Sequence, residues 1–406
     1  HGQRYEKLLW SPEHPRLIGA EVMLAPAKAP LTGGRASTIA PASVPDVVAS
    51  YLGLRSVGTR HRRFLLNGRP YYVRAVLEQG FWPDSHLAAP DDGARRDEVA
   101  LIKRLGFNAA RIHQKIEDPR FLYWADRLGL LLWGEMAAPY EFTTQSITRL
   151  VAEWGAAVRR DRSHPSIATW VPINESWGVQ HLADRPEQRA LSRALADLTR
   201  AIDPSRPVVS NDGWEHTCSD IISIHDYDAD DLAVTLRYAE EDRLEALLAG
   251  LGPAGRSITV QGPVDREAPV MVTEFGGIRY LPDGEEAGGG GSAANGAAQA
   301  APVSAAGTAG AADAADAEGT GMGEDWEDEE DEETTWGYTT ADGPEDFEAR
   351  LRRAFGALQA SPHLAGFCYT QLADTMQEAN GLADAHRRPK ISAKVIREIV
   401  RTPVTS

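Results

Sequence analysis

Eight short runs of β-forming residues, most of them separated by stretches with helical apolar spacing, constrain this chain more than any other feature. The runs are YYVRAV, NAARIH, LLLWGEM, IATWVPINES, PVVSNDG, IISIHDYD, PVMVTEF and GFCYTQL. RRDEVALIKRLG (95–106) and PRFLYWADRLG (119–129) carry the period of an amphipathic helix, and each ends at a glycine suited to a C-cap. EQRALSRALADLTRAID (187–203), DFEARLRRAFGALQ (346–359) and SAKVIREIV (392–400) continue the alternation. Eight such units over roughly 340 residues predict an α/β fold of the (β/α)8 TIM-barrel type. An open doubly wound sheet competes, but no Gly-rich phosphate loop follows the first run.

Two stretches break the pattern. In residues 1–58, RLIGAEVMLAP and DVVASYLGLRSVG alternate or run apolar without helical period, joined by Pro- and Gly-rich connections. They read as the last strands of a β-sandwich whose beginning lies outside this chain, leaving 59–406 for the barrel. The second stretch, 284–333, is Gly/Ala/Ser-rich and then strongly acidic (EDWEDEEDEE). With no face to bury and a self-repelling charge block, it is expected to be a disordered insertion. It also explains the charge of the chain. Of a net −17, fifteen acidic residues lie within 281–335, where there is no Lys or Arg, so the remainder is close to neutral.

That balance leaves no basic stripe for nucleic acid and no cationic face for a membrane. The 42% hydrophobic and 25% charged content is that of a globular protein, and no apolar run approaches the length of a membrane span. Cys218 and Cys368 are too few for a disulfide framework and sit in apolar, strand-like runs, so buried free thiols are expected. Oligomeric state is open, as is the compartment, with the cytoplasm favoured.

In a barrel of this kind, chemistry is carried where strands end and loops begin. Those ends are Glu78, His113, Glu135, Asn174, Glu175, Asn211, Asp212, His225, Asp226, Tyr227, Glu274, Gln371 and Asp374. Two of them stand in apolar surroundings, Glu175 in WVPINESWG and Glu274 in PVMVTEFGG. A carboxylate there is costly unless paired or neutral. Each could be a structural ion pair with an arginine such as Arg74 or Arg111. The alternative is a catalytic pair facing each other across a sugar, one protonated to release the leaving group and one ionised to attack the anomeric carbon. Trp82, Trp133, Trp177, Trp214, Tyr227 and Tyr369, at or just beyond strand ends, offer faces on which pyranose rings could stack.

HPSIATWVPINES, with Asn174 directly before Glu175, resembles the acid/base signature of glycoside hydrolase family 2, the β-galactosidase and β-glucuronidase family. VMVTEFGG resembles that family's nucleophile strand, FLLNGRPYYVRAV the start of its barrel, and GFCYTQLADTMQEANGLADAHRRPK its last strand and exit. LLWSPEHPRL looks like the close of its immunoglobulin-like domain, to which 1–58 would then belong. The resemblance implies Glu175 as general acid/base and Glu274 as nucleophile, in a retaining double displacement. It implies that Asn174 binds the sugar 2-hydroxyl and that Tyr227 orients the nucleophile. His113, Glu135, Trp177, Trp214 and His225 are expected to contact the sugar. An apolar surround of Glu175 is expected to keep its proton near neutral pH.

Family glucuronidases grip the uronic carboxylate with Asn-x-Lys near the last strand, and the nearest match here is Asn380-Gly381-Leu382. This favours a neutral sugar, β-galactosidase-like, with no cofactor and no metal, although Arg387, Arg388 or Lys390 could substitute. Glucuronides, mannosides and arabinosides are alternatives in the same class. A carbohydrate-binding pseudoenzyme is an alternative of another class, opposed by the presence of both glutamates. A metal-dependent hydrolase using His113, His225 and Asp226 is a third, but no His-x-His or HExxH pattern accompanies them.

Overall fold

A computed structural model describes residues 5–24, 46–260, 267–282 and 337–404. The insertion expected at 284–333 lies outside the described residues. Near the N-terminus, β1 (Ile18–Leu24) and β2 (Asp46–Leu52) pair antiparallel and form a sheet with no third described strand. Val22, Met23, Leu24, Val47, Val48 and Leu52 on this pair are exposed. The sandwich expected around them is therefore not seen among the described residues. Three short strands, β3 (Val57–Arg60), β4 (Arg63–Leu66) and β5 (Arg69–Pro70), form a second antiparallel sheet before the barrel begins.

From there strands and helices alternate: β6 (Val73–Glu78), α1 (Asp92–Arg104), β7 (Ala109–Ile112), α2 (Pro119–Leu128), β8 (Leu131–Glu135), α3 (Thr144–Asp161), β9 (Ile167–Val171), α4 (Pro186–Ile202) and β10 (Ile222–Asp226). After α5 (Asp231–Ala239) and α6 (Glu241–Ala249) come β11 (Val270–Phe275), the short parallel pair β12 (Ile278–Arg279) and β13 (Thr339–Thr340), α7 (Pro344–Gln359), β14 (Leu364–Tyr369) and α8 (Ala393–Val400). The helix starts follow from capping side chains. Asp91 accepts from Ala94 N, Asp118 from Arg120 N just ahead of Pro119, and Thr143 from Ser146 N.

Seven of these strands make one parallel sheet in the order β10-β11-β14-β6-β7-β8-β9. The run PVVSNDG was expected to be the remaining strand, but it joins β9 only through isolated parallel bridges, Trp170↔Val208 and Asn174↔Asp212. The reason is local chemistry. Val208 N, Ser210 N and Gly213 N donate to Asp220 Oδ2, Ser219 Oγ and Ser223 Oγ, so side chains stand in for the neighbouring backbone.

Two layers of core follow from the strand period of two. Inward-facing Val73, Ala75, Leu77, Ala109, Leu131, Trp133, Met271, Ala365 and Cys368 pack together and are joined by Trp10, Phe64 and Leu66 from the segment before β6. Outward-facing Val76, Ala110, Leu132, Ile224, Val272 and Phe367 pack with the helices. Both thiols are free; Cys368 is buried as expected, but Cys218 is only half-buried. Among the described residues, no helix is long and apolar enough to cross a membrane.

Candidate active site

The strand ends converge on one buried guanidinium. Arg111 follows Ala109 on the inward face of β7 and is fully buried. Its Nε lies 2.7 Å from Glu135 Oε2 and 2.8 Å from Asp212 Oδ2. Its Nη1 donates to Glu274 Oε1 at 2.7 Å, and its Nη2 to Asn174 Oδ1 at 2.6 Å. Burial opposes this charge, but Asp212, Glu135 and Glu274 outweigh it and hold the guanidinium protonated.

Glu274 reaches the same centre through an irregularity in the sheet. Ile224 pairs with Val272 but His225 pairs with Glu274, so β11 carries one extra residue, Thr273, against β10. The bulge lets both Thr273 and Glu274 face inward: Thr273 Oγ1 donates to Asp212 Oδ1 at 2.7 Å while Glu274 meets Arg111. Tyr227 OH donates to Glu274 Oε2 at 2.6 Å, close to Thr370 Oγ1 at 3.0 Å. The Tyr338 ring stacks on Tyr227 with centroids 3.5 Å apart. Burial works to raise the Glu274 carboxyl, but His225, Arg111, His113 and the Tyr227 hydroxyl outweigh it and hold it down at about 2.

Glu175 is differently placed. The strand ends at Val171, so Glu175 lies on the loop beyond it, and its side chain is 25% exposed rather than enclosed by apolar groups. The expectation of an apolar surround is corrected; of the apolar residues before it, Trp170 and Val171 belong to β9, which ends four residues earlier. Its backbone is strained, with φ 51° at Glu175 and 58° at Ser176. Neighbours hold it there. Glu175 N donates to Asp212 O, Ser176 N to Asn211 Oδ1, and Ser176 Oγ to Glu215 Oε2, itself paired with Arg256.

The link between the two glutamates is His225. Its Nδ1 lies 2.7 Å from Glu175 Oε1, and its Nε2 lies 3.5 Å from Glu274 Oε1. Burial would lower this imidazole, but Glu274, Asp212 and Glu175 together raise it to about 10. One atom each from Glu175, His225 and Glu274 falls within 4.8 Å of the others. Gly213 permits this approach: at φ 98°, a Cβ there would stand 2.7 Å from His225 Nδ1.

The remaining expected residues separate into two groups. Asn174 Nδ2 and Trp214 Nε1 are buried without a hydrogen-bond partner, as donors awaiting a ligand would be. Trp214 sets its ring edge-on to His225, Trp177 is half-buried against Tyr140, and His113 Nδ1 lies 3.2 Å from Glu135 Oε1. Glu135, by contrast, is wholly buried and spends its oxygens on Arg111 and Gln114 N, which makes it a support rather than a sugar contact.

Other strand-end residues leave the site. Asp226 turns outward to Arg237 and Tyr238, so His113, His225 and Asp226 do not form one cluster. Trp133 lies in the barrel core and Tyr369 packs among Phe275 and Phe355. Asp374 pairs with Lys390, and Glu78 is enclosed beside Gly80 N. Glu175, His225 and Glu274 have the donor types of a metal site, and they already carry hydrogen bonds of their own. Arg111 and Tyr227 occupy the two oxygens of Glu274, and a protonated His225 occupies Glu175 Oε1.

Sequence reading passed over several residues of the site. In the sequence Arg111 stands only as a possible ion-pair partner, and Asp212 as one strand end among many. Tyr338, Thr370 and Glu378 carried no local signal, because stacking on Tyr227 and proximity to Glu274 are contacts between distant segments.

Comparison with known proteins follows the same lines. Residues 57–246 match the family described as glycosyl hydrolases family 2, TIM barrel domain. The β-glucuronidase of Canis lupus familiaris is 28% identical over 241 residues, covering 54% of this chain and 34% of that protein. The β-glucuronidase of Rattus norvegicus is 28% identical over 207 residues, covering 46% and 30%. The chain thus spans about a third of the length of the curated relatives it matches. A family 2 β-galacturonidase from Eisenbergiella tayi, solved with galacturonate, superposes with a TM-score of 0.63 at 19% identity, covering 97% of this chain and 59% of that one. A Bacteroides uniformis β-glucuronidase gives 0.66 at 18%, covering 97% and 41%. At these identities the superpositions bear on the fold.

Proposed function

The barrel of this chain belongs to glycoside hydrolase family 2, and from that premise we propose that it hydrolyses β-glycosides with retention of anomeric configuration. The observation that carries this reading is the approach of a carboxyl oxygen of Glu175 to one of Glu274 within 4.8 Å. Retaining enzymes keep their two carboxyl groups about 5–5.5 Å apart, whereas inverting ones leave about 6.5–9.5 Å for a water. Glu274, ionised above about pH 2 and aimed by Arg111 and Tyr227, is the nucleophile. At neutral pH the Glu175–His225 pair carries one proton across a 2.7 Å contact, because the imidazole titrates near 10. Glu175 passes that proton to the departing oxygen.

Esterification of Glu274 by the sugar then removes the negative charge that most favours the imidazolium. His225 is left a weaker base and holds back no proton, so the Glu175 carboxylate, having given its proton to the leaving group, takes one from the attacking water in the second step. Asn174 Nδ2 and Trp214 Nε1 are the donors we assign to sugar hydroxyls.

For the glycone we propose a neutral pyranose of the galactoside kind, since Asn380 is followed by Gly381 and Leu382 rather than by a basic residue. The second reading is a uronide, favoured by the β-glucuronidase and β-galacturonidase relatives. We also read β1 and β2 as part of an immunoglobulin-like sandwich, which their exposed apolar residues support. The test is a panel of 4-nitrophenyl β-glycosides followed by NMR of the first-formed anomer. A β-anomer product supports the mechanism; an α-anomer overturns retention, and sugar binding without turnover supports a pseudoenzyme.

A further inference from the structure

Glu378, in the loop after β14, is half-buried and joins a network whose proton directions are settled by counting. Gln371 Nε2 donates to Glu378 Oε2 at 2.9 Å and to Asn380 Oδ1 at 2.7 Å, which uses both of its protons. Gln79 Nε2 donates to Gln371 Oε1 at 2.7 Å and to Glu378 Oε2 at 3.4 Å. Asn380 Nδ2 reaches the same oxygen at 3.4 Å. Three amides thus converge on Oε2, and only an acceptor fits there. Among the described residues, Oε1 has no hydrogen-bond donor.

The loop stands beside the reacting groups. Gln371, which donates to Glu378 Oε2, directly follows Thr370, whose Oγ1 lies 3.0 Å from the Tyr227 hydroxyl that donates to Glu274. Burial pushes the Glu378 carboxyl up, while His113 and the amides of Asn380 and Gln79 favour its charged form. Asn380, the nearest match to a uronate-gripping asparagine, is buried and turned into this network instead. The basic side chains that follow are committed elsewhere. Arg387 binds Glu98 and lies over the Trp82 ring, Arg388 binds Asp384, and Lys390 Nζ is enclosed by Asp374 Oδ1, Tyr280 O and Ala379 O.

We propose that Glu378 sets which sugars the pocket accepts, its Oε1 taking a hydroxyl of the glycone and its charge excluding a glycone carboxylate. This rests on the glycosidase reading and narrows it to neutral glycones. A hydroxyl donates to the carboxylate, whereas a uronate can only accept and brings a like charge.

The test uses the full chain and two substrates, the neutral 4-nitrophenyl β-glycoside it hydrolyses best and the uronide that differs in carrying a carboxylate for the hydroxymethyl group. The wild type should favour the neutral substrate in kcat/KM by about 100-fold or more. Glu378→Gln should shrink that ratio at least about tenfold, chiefly through KM, and Glu378→Lys should shrink it further. A wild-type preference for the uronide overturns the proposal, as does a Glu378→Gln variant that slows both substrates equally. Calorimetric titration of the wild type with D-galactose and D-galacturonate reads the same preference without any variant. If no β-glycoside is turned over, the glycosidase reading falls; tighter binding of galactose would still support the role of Glu378, and tighter binding of galacturonate would overturn it.

Discussion

Glu274 and Glu175 bring a carboxyl oxygen each within 4.8 Å of the other, but they are held by opposite means. Glu274 belongs to the strand ladder, is buried, and has both oxygens engaged by Arg111 and Tyr227. Glu175 sits past the end of its strand on left-handed backbone, partly open to solvent, with one imidazole as its partner. A nucleophile needs a fixed position and a stable negative charge, which the ladder and the guanidinium supply. A proton donor must exchange its proton twice per turnover, which a solvent-reachable loop with a titrating neighbour allows. The contrast supports the roles proposed for them.

The largest expected effect breaks the contrast at its rigid side. Glu274→Ala should lower kcat by on the order of 10^4-fold or more, and azide should restore turnover by giving a glycosyl azide of inverted configuration. Glu175→Ala should cost about 10^2 to 10^4-fold with poor leaving groups and far less with good ones. With azide it should give the retained configuration, because Glu274 still forms the covalent intermediate. If the two configurations come out exchanged, the roles must be exchanged with them.

Arg111→Met tests whether the rigid side depends on the guanidinium. It would leave Glu135, Asp212 and Glu274 buried without their common cation, a loss of about 3–5 kcal/mol in a urea melt. A loss below about 1 kcal/mol would show that these carboxyls do not share a charge centre.

Titration sharpens the comparison further. The Glu274 carboxyl is depressed to about 2, so its contribution is present above its unfolded value and is lost as pH falls through 2. His225 is raised to about 10, so its contribution is full below its ordinary value of 6.5 and is lost as pH rises through 10. The wild-type melting temperature should therefore fall between pH 7 and 10, and His225→Asn should flatten that slope. An identical slope in the variant would remove His225 from this account.

The smallest effect is that of Tyr227→Phe. Removing one hydrogen bond from Glu274 should move the acid limb of kcat/KM upward by less than about one pH unit. A shift of two units or more would mean that Tyr227, rather than Arg111 and His225, holds the charge of Glu274.

Much of this was legible in the residues. Apolar spacing located the helices to within a few positions, because the period of 3.6 repeats over several turns in α1, α2 and α4. Short β-forming runs located β6, β7, β8, β11 and β14, whose residues are buried almost without a break. PVVSNDG does bond β9 through its backbone, but the residues do not tell that its other edge is met by the side chains of Asp220, Ser219 and Ser223 in place of a strand. For a related reason the residues do not tell that Glu135 pairs with Arg111, or that Asp226 pairs with Arg237 and Tyr238. A strand-end position tells that a side chain is near the rim, but not which neighbour has already satisfied it.

By itself, then, the sequence determined the alternation of elements, the family, and the two glutamates at the ends of their runs, since these depend on residue type and short-range periodicity. The tertiary structure decided how those glutamates differ. The extra residue in β11, the imidazole shared by Glu175 and Glu274, the stacking of Tyr338 on Tyr227 and the amides gathered on Glu378 each join segments far apart in the chain. Burial and charge at those points come from what folding brings alongside, and no local pattern of residues carries that information.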